Sequence, residues 1–143
     1  MKIGLAADHA GFGLKEAVKK MLQDRGCDVI DFGTFSTDSA DYPDFAHGLG
    51  EAIDSHELGV GIVMCGSGNG INMTVNKHQG VRSALCWNKE ITELARRHNN
   101  ANVLAMPARY VAVEQGLEMV RTFLNTEFEG GRHQNRVDKI ACP

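Results

Sequence analysis

The chain has 143 residues and a net charge of −3, with hydrophobic and charged fractions of 43% and 23%. These values are ordinary for a soluble globular protein and fit one domain over residues 1–143 with a sizeable core. The negative charge argues against general affinity for nucleic acid or membrane surfaces. No apolar run approaches the ~20 residues that cross a bilayer, and the N-terminus does not read as a signal peptide.

The four cysteines, Cys27, Cys65, Cys86 and Cys142, are widely spaced and form no C-x-x-C pair. This spacing argues against a structural zinc site or a redox pair. Scattered thiols suit a reducing compartment, so the cytoplasm is the expected location.

Apolar spacing predicts strands and helices in alternation. In chain order, the expected strands are 3–7, 28–32, 61–64, 81–86 and 103–106. Helical spacing occupies 14–22, the segment from Pro43 to Ile53, a short stretch from Ile71, the segment from Asn88 or Thr92 to His98, and 111–124. Residues 33–41 are small and polar and are predicted to form a loop, and the tail from Gly130 is basic.

This alternation implies crossover connections and a parallel sheet. We therefore predict a single-domain, Rossmann-like, doubly wound five-stranded sheet with helices on both faces and a C-terminal helical tail. In such sheets ligands bind beyond the carboxyl ends of the strands. That rule brings Asp8-His9, the segment Cys65–Gly70 and Arg109 to one edge.

The segment from Val60 to Gly70 is the most informative in the chain. Its apolar run ends at Cys65, and three glycines follow within five residues, Gly66, Gly68 and Gly70. Glycines let main-chain N–H groups approach a ligand closely, and a helix starting near Ile71 would favour an anion there. A thiol beside such a site suits removal of a proton from carbon. A strand-to-helix turn with an inert cysteine is the alternative.

The glycine turn differs from two common nucleotide motifs. Its G-x-G-x-G spacing follows the third strand, and it lacks the Gly-Lys-Ser/Thr ending of a phosphate-binding loop. These differences disfavour a nicotinamide enzyme or a kinase.

Other candidate residues each have an ordinary structural explanation. Asp8 fits a helix cap, although a cap leaves His9 unexplained, and His98 fits a helix C-terminus as well as proton transfer. Arg132 and Arg136 lie four residues apart, so on a helix they share one face and suit a phosphate dianion, whereas a solvated basic tail is the alternative. Two weaker candidates are Arg109, for phosphate, and Tyr42, which fits either a pocket rim or a hydrophobic staple.

Together these segments resemble the type B ribose-5-phosphate isomerase family and its relatives that act on galactose 6-phosphate. The resemblance follows the family's order and covers essentially the whole chain. The matching stretches are Asp8–Gly11, Asp41–Pro43, Cys65–Gly70, Asn76-Lys77, Arg97–Asn99, Asn102–Ala105 and Glu129–Val137.

The resemblance implies an isomerase without metal or cofactor, whose site is shared between subunits of a homodimer or a dimer of dimers. It implies that Cys65 is the base, that Ser67 relays protons, and that His98 with Asp8 opens the furanose ring. The candidate substrate-binding residues are Asp8, His9, Tyr42, Gly66, Ser67, Gly68, Asn69, Gly70, Asn99, Arg109, Arg132 and Arg136. Some branches use a glutamate after the glycine turn, but residues 72–75 carry no carboxylate, which indicates the cysteine branch.

The expected reaction is interconversion of D-ribose 5-phosphate and D-ribulose 5-phosphate through an enediolate, a step of the pentose phosphate pathway. One alternative is a six-carbon substrate, allose or galactose 6-phosphate, because sequence does not give the depth of the pocket. The other is a non-catalytic sugar-phosphate binding protein, against which the proton carriers Cys65, Ser67 and His98 argue. The expected partner is a phosphorylated sugar, with no nucleic acid and no membrane.

Overall fold

Strands and helices alternate along the chain in the computed structural model, which describes residues 1–143. The strands are β1 (Lys2–Ala7), β2 (Asp28–Asp31), β3 (Val60–Cys65), β4 (Ser83–Leu85) and β5 (Val103–Pro107). The helices are α1 (Phe12–Asp24), α2 (Tyr42–Asp54), α3 (Asn69–Val75), α4 (Lys89–Asn99), α5 (Val113–Asn125) and α6 (Arg132–Val137).

The five strands form one parallel sheet in the order β2-β1-β3-β5-β4. In its register Ala7 is paired with Met64, and Cys65 is paired with Pro107. The carboxyl ends of β1, β3 and β5 therefore meet at one edge, which confirms the predicted fold class.

The interior strands send alternate side chains to opposite faces, because successive residues of a strand point in opposite directions. Ile62 and Met64 join the core beneath α1, α4 and α5, whereas Val63 and Cys65 join the core beneath α2 and α3. Helices thus cover both faces of the sheet, and the apolar side chains on each face pack against the helices that cover it.

Strand β4 is shorter than the sequence predicts, since pairing covers only Ser83–Leu85. Asparagine side chains satisfy the neighbouring backbone instead. Asn102 accepts from the Arg82 N–H at 2.7 Å and donates to the Gly80 carbonyl at 2.8 Å. Asn76 forms a similar pair of bonds with the backbone of Ser83. Hydrogen bonds from asparagine side chains to the backbone cannot be predicted from the spacing of apolar residues, which is why the sequence predicts a longer strand.

The predicted helical tail is present as α6, which packs against α4. It follows a turn in which Gly130 and Gly131 both have positive φ, 68° and 54°. Asn88 caps α4 by accepting from the Ile91 N–H at 2.9 Å, so of the two predicted starts the earlier one is observed. None of the helices combines the length and apolarity that a membrane-crossing segment needs.

Candidate active site

The first predicted site residue, Asp8, lies directly after β1 and is only 7% exposed. Its Oδ1 accepts from the Gly11 N–H at 3.1 Å, so the carboxylate shapes the turn into α1. The N-cap residue itself is Gly11. Since Ala7 is paired with Met64, the next residues along the two strands, Asp8 and Cys65, are neighbours at the sheet edge.

Cys65 ends β3 and is 4% exposed. Its backbone is fixed because its carbonyl accepts from the Ala108 N–H at 2.9 Å. Cys86 also follows a strand, but it lies in the core beneath α4 and α5, where burial raises the pKa of its thiol to about 11. Of these two buried thiols, only Cys65 borders the glycine turn.

The glycine turn requires glycines for two reasons: a positive φ angle, and neighbouring atoms that lie too close for a side chain. Gly68, the N-cap of α3, has φ +78°, and a Cβ there would lie 3.0 Å from the Met106 backbone. A Cβ on Gly70 would overlap the ring of Tyr42. The hydroxyphenyl ring therefore rests on the turn, at the rim of the site.

Arg109 reaches the same turn from β5. Its backbone N–H donates to the Gly66 carbonyl at 3.0 Å, and a Cβ on Gly66 would lie 3.2 Å from its Nη1. Arg109 is exposed, so its cationic head is open to a ligand. The predicted convergence of Asp8, Cys65 and Arg109 at one edge is confirmed.

His9 is held by the loop of residues 33–41, for which the sequence predicts no role. The Ala40 N–H lies 3.1 Å from Nδ1 of His9, nearer than the Ala40 carbonyl at 3.3 Å. These two contacts hold the imidazole ring against the loop. The loop itself is anchored to β1, because the Thr34 N–H donates to the Ala7 carbonyl.

Ser67 and Asn69 lie in the glycine turn itself, where the Asn69 N–H donates to the Ser67 hydroxyl at 3.3 Å. The predicted site residues His98, Asn99, Arg132 and Arg136 lie at the opposite edge of the sheet. Helix α4 runs back from the carboxyl end of β4 to the amino end of β5, so His98 and Asn99 lie beside the start of β5. Arg82, which precedes β4, donates to the Asn100 carbonyl at 2.9 Å and confirms this placement. One strand length, about 15 Å, separates this edge from Cys65. Within one chain, His98 is therefore not near Asp8.

The surroundings of His98 include two residues to which sequence reasoning gave no role, Glu129 and His133. The imidazoles of His98 and His133 are stacked with centroids 4.4 Å apart, and Glu129 Oε1 lies 3.5 and 3.6 Å from their Nε2 atoms. The hydrogen bond from Arg97 lowers the pKa of Glu129. Partial burial, together with the neighbouring His98 and Arg132, lowers the pKa of His133. The sequence carried one signal for this cluster: Glu129 and His133 lie four residues apart, with Gly130 and Gly131 between them.

Arg132 and Arg136 are exposed on α6, next to this histidine pair. Nη1 of Arg136 lies 3.3 Å from the Arg132 carbonyl, as expected for residues one helical turn apart. The two guanidinium groups therefore project from one side of α6, which the four-residue spacing predicts.

Two further histidines, His47 and His78, form a polar cluster for which the sequence predicts no role. Nδ1 of His47 lies 2.9 Å from Nε2 of His78, whose Nδ1 lies 3.3 Å from Oδ2 of Asp54. His47 and Asp54 belong to α2, and His78 lies in the segment after α3. No local motif joins them, because they are far apart in sequence.

A model of the ribose/galactose isomerase family matches residues 3–140. The chain belongs to this family. Among curated relatives, it is 41% identical over 141 residues to ribose-5-phosphate isomerase B of Escherichia coli strain K12. That match covers 99% of this chain and 95% of the relative.

Solved structures of family members superimpose on the chain over nearly its whole length. Ribose 5-phosphate isomerase of Thermotoga maritima is 46% identical, with a TM-score of 0.95, covering 98% of this chain and 97% of that one. Ribose-5-phosphate isomerase B of Mycoplasma genitalium, solved with bound ribulose-5-phosphate, is 39% identical, with a TM-score of 0.93. Its match covers 97% of this chain and 93% of that one. These matches confirm the family resemblance and the fold.

Proposed function

We propose that this chain is an aldose–ketose isomerase that interconverts D-ribose 5-phosphate and D-ribulose 5-phosphate, as its family membership indicates. The observation that carries the proposal is the meeting of Cys65, Asp8 and Arg109 around one glycine turn. A nearly buried thiol, a carboxylate and a guanidinium supply a base, a polar partner and an anion contact within one crevice. The Mycoplasma genitalium relative with bound ribulose-5-phosphate supports this choice of substrate.

The reaction moves one proton between neighbouring carbons. In its thiolate form, Cys65 takes the proton from C2 of the open-chain aldose, and the electrons shift onto O1 to give an enediolate. The same sulfur returns the proton to C1, while the Ser67 hydroxyl relays the O2 proton to O1. Main-chain N–H groups of residues 66–70 stabilise the charge on oxygen, an effect worth roughly 3 kcal/mol per donor.

The complete site, in this proposal, requires a second copy of the chain. His98, Asn99, Arg132 and Arg136 lie about one strand length from Cys65, so a single chain cannot bring them to the same sugar. A homodimer in which the α4–α6 end of one copy faces the glycine turn of the other completes it. His98 of the second copy then opens the furanose ring beside Asp8.

Phosphate binding follows from the same arrangement. Arg109 comes from the chain that provides the turn, whereas Arg132 and Arg136 come from the second copy. Guanidinium groups bind phosphate oxygens in a bidentate geometry that lysine does not offer. Because these arginines are clustered at the site, a chain whose net charge is −3 can still bind an anion there. The proposed location is the cytoplasm, where thiols such as those of the four free cysteines stay reduced.

A coupled assay with a panel of sugar phosphates tests the proposal. Turnover should be fastest with ribose 5-phosphate and slower with allose 6-phosphate and galactose 6-phosphate, and a chelator should not reduce it. Faster turnover of a six-carbon sugar would replace the proposed substrate. Tight binding of ribose 5-phosphate without turnover would instead show a sugar-phosphate sensor.

A further inference from the structure

We propose that His98, Glu129 and His133 form a binding site for a divalent transition-metal ion of the zinc class. The three side chains present their ligand atoms to one point. One ligand atom of each residue, a ring nitrogen of His98 and of His133 and a carboxylate oxygen of Glu129, lies within 4.8 Å of those of the other two. No other group of three or more His, Cys, Asp or Glu side chains in this chain is arranged this way.

The distances are those that ligands of zinc keep from each other. Zn–N and Zn–O bonds are near 2.1 Å, so two ligands of a tetrahedral ion lie about 3.4 Å apart. Oε1 of Glu129 lies 3.5 Å from the His98 nitrogen and 3.6 Å from the His133 nitrogen. These separations are long for a hydrogen bond but suit an ion placed between the three atoms.

The carboxylate is oriented before any ion binds. Arg97 donates to Oε2 of Glu129 from Nη2 at 2.8 Å and from Nε at 3.3 Å, which leaves Oε1 for the histidines. The Glu129 N–H donates to the Arg97 carbonyl at 3.0 Å, so the backbone is fixed as well. A partner that holds a ligating carboxylate in place is typical of metal sites.

The two imidazoles are likewise placed by the fold. Their rings are stacked 14° from parallel, and Oε1 of Glu129 lies within 3.6 Å of Nε2 of each ring. The positive-φ glycines Gly130 and Gly131 turn the chain so that His133 returns to Glu129. Two histidines and one glutamate leave a fourth coordination position open, and the site reaches solvent because His98 and Glu129 are each 39% exposed.

Occupation of this site would remove His98 from the isomerase reaction, because the metal binds the Nε2 lone pair. The ion is therefore an inhibitor in this proposal, distinct from a cofactor. Metal binding does not depend on the proposed function, whereas inhibition rests on the role proposed for His98.

Calorimetric titration of the full chain with zinc chloride in a non-chelating buffer tests the site directly. We expect one zinc ion per chain. Glu129→Gln and His133→Asn should each weaken binding by at least about 100-fold, since loss of an outer partner alone costs 10–100-fold. Arg97→Gln removes such an outer partner and should weaken it by about 10-fold. Circular dichroism checks that each variant is folded.

His47→Asn is the matched control, because His47 belongs to the other histidine pair and should leave zinc affinity unchanged. Absence of zinc binding overturns the proposal. So does a result in which His47→Asn abolishes binding while Glu129→Gln and His133→Asn retain it. Zinc should also inhibit the isomerase, and a chelator should restore its activity. Binding without inhibition leaves the metal site standing and contradicts the role proposed for His98.

Discussion

At the scale of single residues, the two buried cysteines Cys65 and Cys86 have different surroundings. Cys86 lies among apolar side chains, where burial raises the pKa of its thiol to about 11. Cys65 lies at the edge of a glycine turn with Asp8 and Arg109 beside it. A thiol acts as a base only when it ionises, so burial makes Cys86 a poor candidate, whereas Cys65 is the thiol that borders the glycine turn.

Replacement of Cys65 tests that assignment. Cys65→Ala should lower kcat for ribose 5-phosphate by at least about 100-fold, the lower range for loss of a general base. The KM should change little, since the sulfur contributes little to holding the sugar. Cys142→Ala, at an exposed thiol in the tail, is the matched control and should retain full activity. Activity of Cys65→Ala within a few-fold of the parent would rule out the base assignment.

At the scale of elements, an ion pair ties α1 to the end of β2 and to the loop that holds His9. Lys15 is fully buried, and its Nζ lies 2.6 Å from Oδ2 of Asp31. Oδ1 of Asp31 accepts from the Gly33 N–H at 2.9 Å, at the start of the loop. Burial raises the pKa of Asp31, but hydrogen bonds from Lys15, Gly33 and Lys19 outweigh it and leave the pKa below its ordinary value.

Removal of this carboxylate charge should be costly. Asp31→Asn leaves the buried Lys15 ammonium with only the partly exposed Glu16 carboxylate, 3.0 Å away, and should lower the free energy of unfolding by about 3 kcal/mol. Urea denaturation measures this change. Asp24→Asn breaks an exposed ion pair with Lys20 and should cost less than about 1 kcal/mol. Equal losses in the two variants would show that the buried pair has no special role.

The same pair predicts how stability depends on pH. Because the folded-state pKa of Asp31 lies below its unfolded value, the stabilisation is fully present above the ordinary aspartate pKa, near ~3.9. It is lost as the pH falls from there through the folded-state pKa. Unfolding curves across this window should therefore show a steeper loss of stability in the parent than in Asp31→Asn. Parallel curves would contradict the assignment.

At the scale of the whole molecule, the two groups of site residues lie at opposite ends of one sheet. Helix α4 runs antiparallel to the strands, so the residues near its C-terminus lie far from the carboxyl ends of the strands. Isologous dimers place one surface of each copy against the other, which creates two equivalent sites. Such a dimer would supply the two halves of each site from different chains.

Mixing two inactive variants tests whether the site is shared. Cys65→Ala and His98→Gln, refolded together in equal amounts, should recover about one quarter of the parent activity. Half of the dimers formed are mixed, and one of the two sites in each is intact. Cys65→Ala mixed with Asp8→Ala is the matched control and should stay inactive, because both changes lie in the same half-site. No recovery in the first mixture would place the whole site within one chain.

Three features could be predicted from the amino-acid sequence: the alternation of strands and helices, the glycine turn after Cys65 and the meeting of three segments at one edge. Apolar period and strand-end rules are local, so they can be read without coordinates. The folded structure was needed to establish that Glu129 and His133 surround His98, and that Ala40 contacts the ring of His9. It also decided which cysteine faces which core and which edge His98 occupies. These relations join residues distant in sequence, and their distances depend on how helices pack and on which way each one returns.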